Sequence, residues 1–450
     1  VKRAFLLALV TALPIVAQDI VGDWIGTLRA GSTNLRVLVH ITRGTDGILK
    51  ADMDSLDQNA KAIPISSIEL KENKLTFTST AVHGSYEGTV NTERTGIEGT
   101  FVQGAQLPLN FKRATAVDPA APRRPQNPTK PYPYRAEDLT YESRAAGIKI
   151  GATLTMPNGR GPFPAAVLIT GSGQQDRDES ALGHKPFLVL ADHLTRKGLA
   201  VLRSDDRGIG KSGGVFVTST NADFANDTEA AIEYLKTRRE IDPKRIGLIG
   251  HSGGGIIAPM VAARRRDVAF VVLMAGPGVR GDKVIVDQVI AAAEAEGVSH
   301  AAAIEEGKTQ RRVEDVIMQG YDDAALKEKL RPILGVKTDA VVPQFTTPWH
   351  REFLSYDPAP ALRKVSCPVL AMIGQKDVQV LPNLNLPAIR KALREGGNTR
   401  FEVVELPSLN HLFQTAKTGA VSEYGKIEET ISSLALDKIA GWITTVISSR

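Results

Sequence analysis

The sequence predicts an α/β fold with a mostly parallel sheet flanked by helices, preceded by a small all-β unit. Three observations carry this expectation. Beyond residue 136, apolar runs of strand length alternate with amphipathic helical patterns. Before residue 114, short segments rich in β-branched and aromatic residues lie between Gly, Asn and Asp turns. Between the two lies a proline-rich stretch that suits neither helix nor strand. At 450 residues the chain is also too long for one ordinary core. Its 42% hydrophobic and 23% charged residues are those of a soluble globular protein.

The first segment, "VKRAFLLALVTALPIVAQD", runs from basic Lys2 and Arg3 through an apolar stretch to the small Ala17. That order is a secretory signal peptide over residues 1–17, so export to a periplasm or the medium is expected. Pro14 interrupts the run, which falls short of the ~20 residues of a membrane span. No later segment suits one, so no membrane insertion is expected after the leader is removed. Formal net charge is +5, and losing Lys2 and Arg3 leaves +3. The basic residues are scattered and no aromatics interleave with them, which argues against nucleic acid.

Residues 18–113 read as the all-β unit, a barrel or sandwich, with "LRVLVHIT", "KLTFTST", "GSYEGTVN" and "GIEGTFVQG" as strands. His40 and His83 fall in or beside these strands with no acidic neighbours in sequence, so core or surface roles are expected. Residues 114–135 contain the six prolines of "DPAAPRRPQNPTKPYPY" and read as a semi-rigid linker. The catalytic domain spans 136–450, with core strands in "AAVLIT", "LAVLRSD", "RIGLIG", "AFVVLMAG", "PVLAMIG" and "FEVVEL". Helical patterns in "KPFLVLADHLTRKG" and "NADFANDTEAAIEYLKTRRE" separate several of them, and "SLALDKIAGWITTVI" closes the chain. About 277–367 the alternation stops and helical pattern dominates, as expected of a cap laid over the sheet. The single cysteine, Cys367, has no disulfide partner in the chain and precedes an apolar run, so a buried thiol is expected. No Cys/His group has metal-ligand spacing, and neither a metal nor an organic cofactor is expected.

In open parallel sheets the reactive residues follow the carboxyl ends of strands. After "RIGLIG" comes Gly250-His251-Ser252-Gly253-Gly254. A serine between a strand and a helix, with glycines two before and two after, is the pattern of a nucleophile elbow. The strained turn leaves no room for side chains beside the serine. The alternative is an ordinary strand-to-helix turn whose serine caps the helix. A serine nucleophile needs an imidazole to take its proton and a carboxylate to orient the imidazole, here in chain order Ser, acid, His. Asp377 lies three residues past "PVLAMIG", and His411 five past "FEVVEL". His251, next to the serine, is expected to project elsewhere. Oxyanion donors are expected from the Gly253 N–H and from the strand-end loop "GSGQQDRDE", with Ser172 first and Gly173 second. "RSDDRGIGKSGG" lacks P-loop spacing, and Asp205, Asp206 and Arg207 are expected to brace the loops beside the elbow.

With "TGSGQQDRDE", "GHKPFLVLADHLTRKGLAVLRSDDRGIGKS", "GHSGGG", "GQKDVQV" and "LPSLNHLFQ" in view, the chain resembles bacterial α/β-hydrolases of the EstD-like carboxylesterase group over about 136–450. The resemblance implies an α/β-hydrolase fold with a helical cap. It also implies a Ser252, Asp377 and His411 triad and hydrolysis of carboxylic esters; a helical cap should narrow the site, so small-molecule esters with short acyl chains are expected. One variant of the group has an acidic residue directly after the nucleophile, where this chain has Gly253. A serine peptidase, amidase or lactonase would use the same triad. An exported binding protein with a vestigial hydrolase fold is the reading from another class.

Overall fold

The structure, a computed structural model, describes residues 19–448 apart from 31–32, 57–59, 83, 104, 116–122, 336–337, 339–341 and 343–344. The leader expected at 1–17 and His83 lie outside the described residues. The chain forms two compact units, Val1–Ala121 and Pro122–Arg450.

In the first unit, β1 (Gly22–Ala30), β2 (Thr33–Arg43), β3 (Leu49–Ser55), β4 (Ala60–Pro64), β5 (Ser67–Lys71), β6 (Lys74–Ser79), β7 (Gly84–Val90), β8 (Gly96–Gln103), β9 (Ala105–Pro108) and β10 (Phe111–Arg113) form one sheet. Its main path runs β4-β3-β2-β1-β10-β8-β7-β6-β5, and its pairings are antiparallel. The two ends of that path are one stretch of chain. The first half of 60–71 pairs with β3 and the second with β6. At the junction the Ile65 N–H donates to Ala51 O at 3.3 Å and the Ser66 N–H to Thr78 O at 2.7 Å. The sheet therefore closes into a barrel, which among the described residues leaves no long unpaired edge. Alternation decides which side chains point inward: in β7, Gly84, Tyr86, Gly88 and Val90 are buried and the residues between are exposed. Trp24, Val39, Phe77, Tyr86, Ile97 and Phe111 belong to the buried apolar cluster inside it.

Residues 123–135, expected as the second half of a linker, belong to the second unit. The Arg124 guanidinium donates to the carbonyls of Leu182, Gly425 and Ile427 at 2.8–3.0 Å. Gln126 bonds Thr430 and Ile431 through their backbones. Proline content correctly argued against helix here, but composition carries no information about where exposed carbonyls wait for a guanidinium.

The second unit contains an 8-stranded sheet in the order β11-β12-β14-β13-β15-β16-β17-β18. Its strands are β11 (Arg135–Ser143), β12 (Ile148–Met156), β13 (Phe163–Ile169), β14 (Ala200–Ser204), β15 (Ile241–His251), β16 (Val271–Met274), β17 (Val369–Gly374) and β18 (Phe401–Leu406). From β14 to β18 neighbouring strands pair parallel. β11 and β12 form an antiparallel hairpin that adds to β14. The apolar-run criterion missed this hairpin because β11 is an edge strand, exposed over most of its length and polar to match.

Helices α1 (Pro186–Arg196), α2 (Asn221–Thr237) and α3 (Gly254–Arg264) connect the central strands. α2 starts at a capping box: the Asp223 N–H donates to the Thr220 side chain, and the Asp223 carboxylate accepts the Thr220 N–H. Two apolar clusters occupy the two faces of the sheet, one with α2 and α3 and the other with α1 and the final helix Ser433–Ser448. Between β16 and β17 the described residues hold α4 (Gly281–Ala295), α5 (His300–Ile317), α6 (Asp323–Leu334) and the shorter helices Pro348–Ser355 and Ala359–Leu362. Cys367 is buried, as its apolar surroundings require. Among the described residues no helix is long and apolar enough to cross a membrane.

Candidate active site

Ser252 sits between β15 and α3 with φ +49°, a value L-residues adopt only under constraint. Its N–H donates to Met274 O at 2.8 Å and its carbonyl accepts the Gly255 N–H at 2.8 Å. The flanking glycines are steric necessities. A Cβ on Gly250 would lie 2.1 Å from Gly254 O, and one on Gly254 would lie 2.2 Å from Ile169 O. The turn brings β15, α3 and the end of β13 too close for side chains. Gly253 meets the strand-end loop as expected: a Cβ there would lie 2.7 Å from Ser172 Oγ and 3.0 Å from the Ser172 N. The two expected oxyanion positions are thus neighbours. Gly173 has φ +94°, and the Gly171 N–H is already committed to Glu179 Oε1 at 2.6 Å.

Asp377 and His411 come together. Asp377 Oδ1 accepts the N–H groups of Gln379 at 2.8 Å and Val380 at 2.9 Å, and Oδ2 accepts the Nδ1–H of His411 at 2.8 Å. Both residues are buried. Their loops are stitched together by the Lys376 N–H on Leu409 O and the Gln375 N–H on Leu406 O, each 2.8 Å. Asn410 braces the histidine loop by accepting the N–H groups of Leu412 and Gln414.

The elbow is tied to that loop through His251. Its Nε2–H donates to the carbonyl of His411 at 3.1 Å, and its Nδ1–H donates to Glu179 Oε1 at 2.9 Å. With both ring nitrogens facing acceptors, the surroundings favour the protonated imidazole. Burial opposes that charge, but the Glu179 carboxylate and the His411 carbonyl outweigh it and raise the pKa. The two imidazole rings lie 4.9 Å apart. Glu179 therefore positions three strand ends at once: the Gly171 amide, the elbow and the loop carrying His411. Spacing gave no signal for this. Of the acids in "DRDE", Asp176 caps its own loop through Ser180, Asp178 pairs with Arg203, and only Glu179 turns inward.

The expected bracing by Asp205, Asp206 and Arg207 is present. Arg177 grips Asp205 with Nε at 2.9 Å and Nη2 at 2.6 Å. Arg207 pairs with Asp223 and Asp227. Asp206 staples the strand-end loop, accepting from Thr170 Oγ1 at 2.7 Å and from the Gln175 N–H at 3.0 Å. Burial pushes its pKa up to about 7. Beside these residues lies a cavity of about 60 Å³ that reaches Gly171, Ser172, Gly173 and Gly253. Phe216, Phe224, Ile257 and Trp349 form its apolar wall. Trp349 comes from the helix Pro348–Ser355, which is tied to α2 where the Asn221 N–H donates to Glu352 Oε2 at 2.8 Å.

His40 lies at the surface, where pairing across strands surrounds it with carboxylates that the linear sequence hides. Asp23 and Asp52 are its direct partners on β1 and β3. Nδ1 lies 2.8 Å from Asp23 Oδ1 and Nε2 lies 3.6 Å from Asp54 Oδ2. Burial works against a charge on this ring, but the two carboxylates prevail and raise its pKa. The donor atoms of His40, Asp52 and Asp54 all lie within 4.8 Å of one another, a set that could hold a cation. The two close carboxylates on an imidazole with a raised pKa describe an ion-paired histidine on the barrel's outer face equally well.

The X-Pro dipeptidyl-peptidase (S15 family) model matches residues 146–398, more than half of the chain. The chain belongs to this family. As a member of the S15 family it is a serine hydrolase; the matched span contains Ser252 and Asp377, and His411 follows it. The S15-family chain is also 26% identical to Esterase EstD of Thermotoga maritima over 342 residues, covering 76% of this chain and 74% of that protein. Among solved structures it aligns with Est1E from Butyrivibrio proteoclasticus, bound to ferulic acid, at 18% identity and a TM-score of 0.44, covering 69% and 99% of the two chains. An esterase from Pyrococcus furiosus aligns at 16% identity and a TM-score of 0.44, covering 73% and 98%.

Proposed function

We propose that this serine hydrolase is a carboxylesterase acting on small esters with short acyl groups. Ser252 is the nucleophile, His411 the general base and then acid, and Asp377 the group that holds the ring with its proton on Nδ1. His411 takes the hydroxyl proton as Ser252 attacks the ester carbonyl. The oxyanion of the tetrahedral intermediate is held by the N–H groups of Gly253 and Ser172, with Gly173 as the alternative second donor. Each such donor contributes about 2.7–4 kcal/mol to the transition state. The amino end of α3 adds a favourable field for the same charge. His411 then protonates the leaving alcohol, and water repeats the sequence on the acyl-enzyme. The helices between β16 and β17 act as a cap, with Trp349 closing the acyl pocket. The leader directs the protein to export.

One observation carries the preference for esters. The carboxylates on the cavity wall are Asp205, Asp206 and Asp227. Each is already engaged: by Arg177, by Thr170 with the Gln175 amide, and by Arg207 with Ser143. None of these is free to receive the ammonium group of a peptide's amino terminus, whereas a neutral ester needs no such partner. Removal of an X-Pro dipeptide is the second reading, favoured by the family match itself.

Hydrolysis of p-nitrophenyl acetate, butyrate and octanoate, compared with Ala-Pro-p-nitroanilide, tests both readings. Acetate and butyrate are expected to be turned over fastest, with kcat/KM for the anilide lower by several orders of magnitude. A higher kcat/KM on the anilide would reject the ester reading. Trp349→Ala is expected to raise the octanoate-to-acetate ratio of kcat/KM by roughly tenfold, since one or two methylenes in an apolar pocket are worth that much.

A further inference from the structure

The barrel of the first unit has an interior that its own side chains do not fill. A cavity of about 270 Å³ lies within it, walled by residues from most of the strands around the ring. Leu28 of β1, Met53 of β3, Phe77 of β6, Phe101 of β8 and Leu109 form its buried apolar surface. Trp24, Ile41, Leu75, Ile97 and Phe111 belong to the same apolar cluster but do not line the cavity. The space therefore adjoins a packed core.

We propose that this cavity is a binding site for one neutral, apolar small molecule. Two observations support this. The first is size: an apolar cavity of about 150 Å³ stays dry and takes up benzene, so this one has room for a ligand nearly twice as large. The second is the chemistry of the wall. Ser55 and Gln103 are the lining residues with polar side chains, and Gln103 Nε2 is committed to Val82 O at 2.6 Å. The side chains of the wall are otherwise aliphatic or aromatic, which suits an apolar ligand. No Asp, Glu, Lys, Arg or His lines it among the described residues, so a charged head group would be desolvated there without a counter-charge. The ligand class is that of a medium-length fatty alcohol or a neutral ester.

The test is calorimetric titration of the full chain carrying Ser252→Ala with 1-decanol and, separately, with decanoate. Saturable binding of one 1-decanol per chain is expected, with decanoate at least tenfold weaker. Val37→Trp adds bulk from the wall and is expected to weaken 1-decanol at least tenfold while leaving turnover of p-nitrophenyl acetate in the Ser252 chain unchanged. Leu35→Phe, on the same strand, serves if Val37→Trp alters the thermal unfolding profile. Absence of saturable binding, or binding unchanged in a filled variant that unfolds like its parent, overturns the proposal. Equal affinity for decanoate overturns the requirement that the ligand be neutral. Loss of ester turnover with Ser252 intact would bear on the second unit and leave the barrel result readable by itself.

Discussion

Ser252→Ala is expected to lower kcat on p-nitrophenyl butyrate by a factor on the order of 10⁵–10⁶ and to abolish labelling by a fluorophosphonate probe. The size follows from the division of labour at the elbow. In the proposed mechanism the hydroxyl oxygen forms the covalent bond, and the remaining oxyanion donors and binding contacts supply only a residual rate over water. The fold should survive, because the backbone bonds of the turn, from Ser252 N–H to Met274 O and from Gly255 N–H to Ser252 O, do not use the side chain. KM should therefore change little. Retention of more than a tenth of wild-type turnover, in a preparation free of the parent, would assign the chemistry to another residue.

Asp377→Asn is expected to lower kcat by about 10⁴, with a small effect on KM. The geometry explains the direction. Oδ1 accepts two backbone N–H groups, so the asparagine carbonyl must occupy that side. Its amide NH₂ then faces His411 Nδ1, where a carboxylate oxygen stood. An N–H donor at that place forces the ring to carry its proton on Nε2, the nitrogen that must accept the serine proton. Kinetics measured with parent and variant under identical conditions check this, and a loss below tenfold would remove Asp377 from its assigned role.

Several parts of this chain were legible because local chemistry dictated them. Apolar runs of strand length alternating with helical patterns read as the strands of a covered parallel sheet, and β13 to β18 lie where those runs are. The elbow was legible because its sterics are local: glycine at 250 and 254 is required by atoms within a few residues and one adjacent strand end. The hairpin of β11 and β12 was not legible, since β11 is polar and exposed over most of its length and Lys149, Thr153 and Thr155 break up the apolar residues of β12. Nor was His40, whose acidic neighbours come from strands paired across the sheet, far from it in the chain.

The linear order of residues was enough to nominate Ser252, Asp377 and His411, because each follows a strand end and strand ends gather at one rim. The contacts that hold the rim in register belong to tertiary structure alone. Glu179, His251 and Asp206 act through bonds spanning from 8 to 160 residues, and which of several nearby acids turns inward depends on the donors waiting there. The same holds for the barrel: alternation says which side chains point inward, but only closure of the sheet decides how much space they leave between them.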